Sequence, residues 1–222
     1  MNVFDKIWGV EPNRKSRFRD EQGEFVPLSD LPLIPVRIKE RVARLFDVYP
    51  EKPWWPSQAR RRIASLLEPT WVVVEFGSGM STAWLASRVR RVITVEANRV
   101  WAEKISSHLR AKELTNVEMR MFDVEMYNPN DLVMEEMPDL VIVDAERRRE
   151  CINWAFDHLK PNGYLYLDNA DRPGNDLGSD AYQARSELLR LALERKVPVE
   201  FFRGIPPGLL NPTQGALVRM PR

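Results

Sequence analysis

Trp71-Val-Val-Val-Glu75-Phe-Gly77-Ser-Gly79-Met-Ser81-Thr-Ala-Trp-Leu-Ala86 is the stretch on which the fold turns. Its apolar run reads as a buried strand, the glycines as a tight turn, and the residues after them as an amphipathic helix. Lacking a Cβ, positions 77 and 79 let the backbone turn sharply and approach a ligand. The N–H groups at the start of the next helix add an anion site. Glu75 then discriminates between ligands. A dinucleotide would lay its pyrophosphate on this turn and meet a carboxylate, whereas a ligand carrying an ammonium and a sulfonium gains from acids on every side.

Further acids follow further apolar runs. Glu96 ends Arg91-Val-Ile-Thr-Val95, close to 20 residues past the glycines, where ribose hydroxyls would lie. Asp123 follows Val117 to Phe122, and Asp144 follows Leu140-Val-Ile-Val143. Four strands thus each bring an acid to the carboxyl edge of a sheet, where open α/β folds bind ligands.

The ordered set resembles the class I S-adenosylmethionine-dependent methyltransferases. Glu75-Phe-Gly77-Ser-Gly79 is similar to the family's first motif, Val95-Glu96 to its ribose-binding acid and Phe122-Asp123 to its adenine-side motif. Asp139 to Asp144 is similar to its fourth motif, and Lys160-Pro-Asn-Gly163-Tyr-Leu-Tyr-Leu-Asp168 to the lead into its fifth strand. The resemblance covers about residues 70 to 170. It implies a Rossmann-like α/β fold with seven strands, mostly parallel, helices on both faces and an antiparallel last strand. It also implies a cofactor held by Glu75, Gly77, Ser78, Gly79, Ser81, Glu96, Asp123 and Asp144. Trp54-Trp55-Pro56 precedes the first strand where the family often covers its cofactor, so Trp55 is added as a lid, with core packing as the competing reading.

Composition sets the frame. With 222 residues, 44% of them hydrophobic, the chain can bury a substantial core. We expect an N-terminal arm with cap helices over 1–68 and the Rossmann-like region over 69–222, together one compact unit. The net charge of +1 argues against a nucleic-acid backbone as obligatory partner, and the arginines at 60–62, 88–91 and 147–149 read as solvated faces. Cys151 is the one cysteine, so no internal disulfide forms, and a reducing cytoplasm is the expected location. No targeting segment and no membrane-length apolar window is visible.

Proline punctuates the first third. Residues 1–35 read as an irregular arm with little chemistry, followed by helices over 36–48 and 57–67. Beyond the first strand, helices over 80–90, 98–114 and 147–159 alternate with strands, which implies a parallel sheet covered on both sides. A long helix begins at Asp180 with Asp180 and Gln183 as capping pair, and strands follow over 199–202 and 215–220. The two histidines, His108 and His158, lie in helices without metal-spaced partners.

For function the resemblance implies methyl transfer from sulfonium to a small molecule, most simply O-methylation, with Asp144 facing the methyl and a homodimer among the expected assemblies. Asp144, Asp168 and Asn169 also match the positions at which metal-dependent O-methyltransferases hold Mg2+ or Ca2+, an ion whose oxygen ligands these residues could supply. That family's lysine base corresponds here to Arg147, which stays protonated and cannot act as a base. Asp144, Asp168 and Arg147 are therefore the catalytic candidates. The alternatives are a degenerate, non-catalytic S-adenosylmethionine-binding protein and an NAD(P)-dependent oxidoreductase, the latter disfavoured by Glu75 and by Thr82 at the third glycine position.

Overall fold

The strand predicted from 71 to 76 is β1, Val72–Phe76, and it lies inside a seven-stranded sheet of order β3-β2-β1-β4-β5-β7-β6. The other strands are β2 (Arg91–Glu96), β3 (Val117–Met121), β4 (Leu140–Val143), β5 (Tyr164–Leu167), β6 (Val199–Gly204) and β7 (Thr213–Arg219). Strands β1 to β5 pair in parallel. β7 runs against both β5 and β6, inserting between them. The computed structural model describes residues 15–122, 128–172 and 179–222.

Burial on both faces explains the unbroken apolar strands. All five residues of β1 are buried. Val74 and Phe76 point into a core completed by Ile152, Trp154 and Leu188 from helices α5 (Arg148–His158) and α6 (Asp180–Glu194). Val73 points to the opposite core, where Ala59 and Ile63 of α2 (Ser57–Leu66) meet Leu85 of α3 (Met80–Ala86). Each fully buried Val, Ile or Leu contributes about 1.5–3 kcal/mol, so a charge at Val73 or Val74 would undo the central strand. Strand alternation places Glu75 on the side of Val73, and the register sets Thr94 of β2 beside it.

Order reverses at β1, whose two parallel neighbours are β2 and β4. The crevice between their carboxyl ends is where such sheets take ligands. Gly77 makes the close passage possible: its φ is +93°, and a Cβ there would lie 2.3 Å from the Asp144 carbonyl oxygen. This glycine is therefore demanded by the neighbouring strand end. Gly79 is different, because its φ of −173° suits any residue and a Cβ would meet nothing nearer than Ser81 Oγ at 3.4 Å.

The helices start and stop close to expectation, α1 at Ile34–Arg44 and α4 at Arg99–Ala111. α4 is capped by Asn98, whose side chain accepts the Trp101 N–H at 3.0 Å. The expected capping pair of α6 is corrected: Ser179 is the N-cap, and the Asp180 carboxylate accepts the backbone N–H of Arg148 at 3.0 Å. The arm carries buried acids. Asp20, Glu21 and Asp30 are buried. Asp20 pairs with Arg203 at 2.8 Å, and Asp30 accepts the Ile205 N–H at 2.9 Å. Polar spacing hid these contacts, since their partners lie more than a hundred residues away.

Candidate active site

A cleft of about 720 Å3 opens at the crevice, walled among other residues by Gly77, Ser78, Glu96, Trp101, Asp144 and Arg148. Glu146, Arg172 and Asp180 add to its charged rim, so among the described residues four carboxylates face two guanidiniums. The local sign favours a cationic ligand over a diphosphate.

Glu96, at the end of β2, is held from both sides. Oε1 accepts the N–H groups of Ala97 at 2.9 Å and Asn98 at 2.8 Å, and Oε2 accepts Ser78 N–H at 3.0 Å and Ser78 Oγ–H at 2.9 Å. A hydroxyl donor thus already sits on one oxygen of a carboxylate that lines the cleft, which is the interaction a ribose diol would make. The Trp101 indole donates to the Ser78 carbonyl at 2.8 Å and presents a flat apolar wall. Tyr49 and Trp54 support it, with Trp54 stacked on Tyr49 at 5.6 Å between centroids.

Glu75 does not reach the cleft wall. It is wholly buried behind the turn, where Oε2 accepts Thr82 Oγ–H at 2.5 Å and Thr94 Oγ–H at 3.2 Å. Thr82 Oγ1 in turn accepts the Gly79 N–H at 2.9 Å, which explains a threonine at the third glycine position. Burial pushes the Glu75 carboxyl up to about 7, against the hydroxyls of Ser81, Thr82 and Thr94 and with Asp144 adding repulsion. Among the described residues its Oε1 has no hydrogen-bond partner. The buried carboxyl thus keeps one unused acceptor under the turn. The hydroxyl-accepting Glu96 and the acidic rim make this donor set compatible with S-adenosylmethionine.

Gly79 and Ser81 shape the turn and do not line the cleft. Asp123 lies outside the described residues. Trp55 is a correction: it is 1% exposed and packed on Tyr166 at 4.9 Å and against Trp84, in the core under α2. Pro56, immediately after it, is the N-cap of α2. The aromatic wall comes from Trp101, a residue the sequence marked only as part of a helix face.

On the other side of the crevice stands Asp144, just past β4. Its side chain is 40% exposed toward the cleft, yet the protein around it and the nearby Glu96 raise its pKa, against the attraction of Arg148. Asp168, past β5, is buried and accepts the Tyr166 hydroxyl at 3.1 Å. Burial and Asp144 push its pKa well above the carboxylate range. Arg147 is a second correction. It caps α5 in a left-handed conformation, φ 56°, and its guanidinium turns to Glu150 at 3.1 Å, away from the cleft wall.

The next residue, Arg148, takes the central position. Its Nη2 donates to Asp144 Oδ1 at 2.9 Å, its Nη1 to the Asp168 carbonyl at 3.0 Å and to Asn169 Oδ1 at 3.3 Å, and its Nε to the Ala145 carbonyl at 2.7 Å. Asp144, Asp168 and Asn169 do converge, but around a guanidinium. As arranged they do not offer a divalent ion an open set of oxygens, and among the described residues no group of three or more His, Cys, Asp or Glu could hold one. A run of three arginines conceals which member is buried, so Arg148 had no separate signal in the sequence.

No family model matches the chain, and no curated protein matches it either. Solved structures do share its fold. The O-methyltransferase TomG from Streptomyces achromogenes, involved in tomaymycin synthesis and solved with SAM, is 22% identical over 82% of this chain and 87% of its own, with a TM-score of 0.65. An O-methyltransferase from Bacillus cereus in complex with SAH is 20% identical over 85% and 90%, TM-score 0.63. An rRNA methylase from Streptococcus thermophilus is 16% identical over 74% and 95%, TM-score 0.55. The chain therefore has the Rossmann-like methyltransferase fold, a fold that serves acceptors of different classes.

Proposed function

We propose that this protein is an S-adenosylmethionine-dependent methyltransferase acting on a hydroxyl group of a small molecule. The observation that carries the reading is Glu96, fixed at the crevice with a hydroxyl on its carboxylate, inside a rim of acids beside the Gly77 turn. Glu96 would hold the ribose, Glu75 would brace the turn from behind, and Trp101 would cover an apolar face of the ligand. Bound there, the cofactor would supply a methyl carbon on a sulfonium whose sulfur leaves as a neutral thioether.

The chain's own tasks are alignment, exclusion of water and removal of one proton. Asp144 stands on the cleft wall with its Oδ1 on Arg148, and its raised pKa suits it to accept the proton of the acceptor hydroxyl as oxygen bonds to carbon. Arg148 stays protonated and keeps that carboxylate aimed. The acidic rim supports a neutral or cationic small acceptor over a nucleic acid, and no helix among the described residues is long and apolar enough to cross a membrane.

Methyl-labelled cofactor tests this directly. Incubation with a panel of hydroxylated aromatics and with bulk RNA should move label to a small hydroxyl. Label appearing in RNA instead would overturn the acceptor class, and absence of cofactor binding would overturn the reading itself.

A further inference from the structure

We propose that Arg148 is the resident cation of this site, holding the ground between Asp144, Asp168 and Asn169 that a divalent ion would otherwise take. The proposal rests on the methyltransferase reading for its purpose, though not for its geometry. All three guanidinium nitrogens are engaged, with acceptors from the end of β4 on one side and from the end of β5 on the other. The side chain is only 14% exposed, so this is a built-in position and not a surface pairing. Its backbone is anchored as well, through the bond from Arg148 N–H to Asp180.

The acids around it are arranged for a guanidinium. Asp144 contributes one oxygen, the residues after β5 contribute a backbone carbonyl and an amide oxygen, and the Asp168 carboxylate accepts from Tyr166. A planar fork of donors spans these acceptors, and while it does so they are not free to gather around Mg2+ or Ca2+, which needs six or more oxygens at short range. A divalent ion entering this space would also meet a fixed positive charge that cannot be discharged by deprotonation. Asp171, the next carboxylate along the loop, is already taken by the N–H groups of Glu21 at 3.2 Å and Gln214 at 3.3 Å.

Arg148 would act here as a positioning residue, orienting Asp144 as the proton acceptor and joining the two strand ends that form the acceptor side. Removing it should leave two acids and an amide facing an empty space of the right polarity for a metal.

Titration with Mn2+ alone, followed by electron paramagnetic resonance on the full-length chain, decides the matter. The wild-type protein should show no site at this position, and Arg148→Ala should gain one that disappears again in Arg148→Ala/Asp144→Asn. Arg148→Lys, which keeps a single charge, should gain none. A stoichiometric Mn2+ site in the wild type that Asp144→Asn removes would overturn the proposal. So would an Arg148→Ala chain that folds by circular dichroism yet gains no site. Should Arg148→Ala not fold, Arg148→Gln gives the same readout with the side-chain volume retained. Calorimetry with S-adenosylhomocysteine on the wild type separates the two readings: failure to bind it removes the methyltransferase assignment and leaves the Mn2+ result to judge Arg148 by itself.

Discussion

On the β1–β2 side of the crevice, Ser78, Glu96 and Trp101 are bonded to one another across sequence separations of 18 and 23 residues. On the β4–β5 side, Asp171 and Arg172 are fastened to Glu21 and Gln22 across about 150 residues. The first side is a local motif: a strand, a turn, a helix and the next strand contain nearly all the bonds that shape it. The second is local where Arg148 bonds residues 3 to 21 positions away, but its outer wall joins chain segments far apart in sequence. A short motif can be read before the fold is known, whereas long-range polar contacts leave no spacing to read.

The local side should break most sharply at Gly77. Alanine there would drive a Cβ into the Asp144 backbone and hold a non-glycine residue at φ +93°, so Gly77→Ala should cost about 3 kcal/mol or more in urea unfolding. Gly79→Ala should lie within about 1 kcal/mol of wild type, because nothing in the protein obstructs it. Equal destabilisation by the two would show that the turn is not divided between a glycine the fold requires and one it does not.

Glu75 gives the next largest effect, and it depends on pH. The carboxyl ionises near 4.5 when unfolded and near 7 when folded, so between those values the folded chain keeps a proton that the unfolded chain has lost. Stability should therefore fall as pH rises from about 4.5 through 7, by about 3 kcal/mol in all from this group. Unfolding curves of Glu75→Gln across that window should be flatter than those of wild type. Parallel curves would mean that the buried carboxyl titrates normally.

These two residues also mark what the sequence could and could not convey. The strand-turn-helix, the seven strands and the positions of Glu96 and Asp144 were legible, because alternation and glycine spacing are local. The roles of Gly77 and Thr82 were not: one answers to a carbonyl 67 residues further on, and the other links Glu75 to Gly79. Trp55 and Trp101 exchanged places for a similar reason, since an indole goes to the core or to a cleft according to its tertiary neighbours. Arg147 and Arg148 are adjacent in a uniform run, and what separates them is the left-handed cap at 147 and the bonds that hold Arg148 in the crevice.

Glu96 tests whether the local side is the ligand's side. Glu96→Ala should weaken S-adenosylhomocysteine binding about 10- to 100-fold, the worth of hydroxyl bonds to a charged acceptor, while leaving the β4–β5 side intact. Gln22→Ala should be the smallest change. Its side chain bonds the carbonyls of Asp171 at 3.0 Å and Arg172 at 2.9 Å near the surface, so about 1 kcal/mol of stability should be lost, with cofactor affinity within about twofold of wild type. A larger drop in affinity for Gln22→Ala than for Glu96→Ala would invert the assignment of the two sides.

The central claim is that an acidic crevice with Glu96 at its ribose position selects a positively charged methyl donor. Calorimetric titration of the wild-type protein with S-adenosylmethionine and, separately, with NAD+ under identical buffer tests it. Saturable binding of the sulfonium compound with no heat from the dinucleotide is the predicted outcome, and NAD+ binding in the absence of any S-adenosylmethionine binding would contradict it.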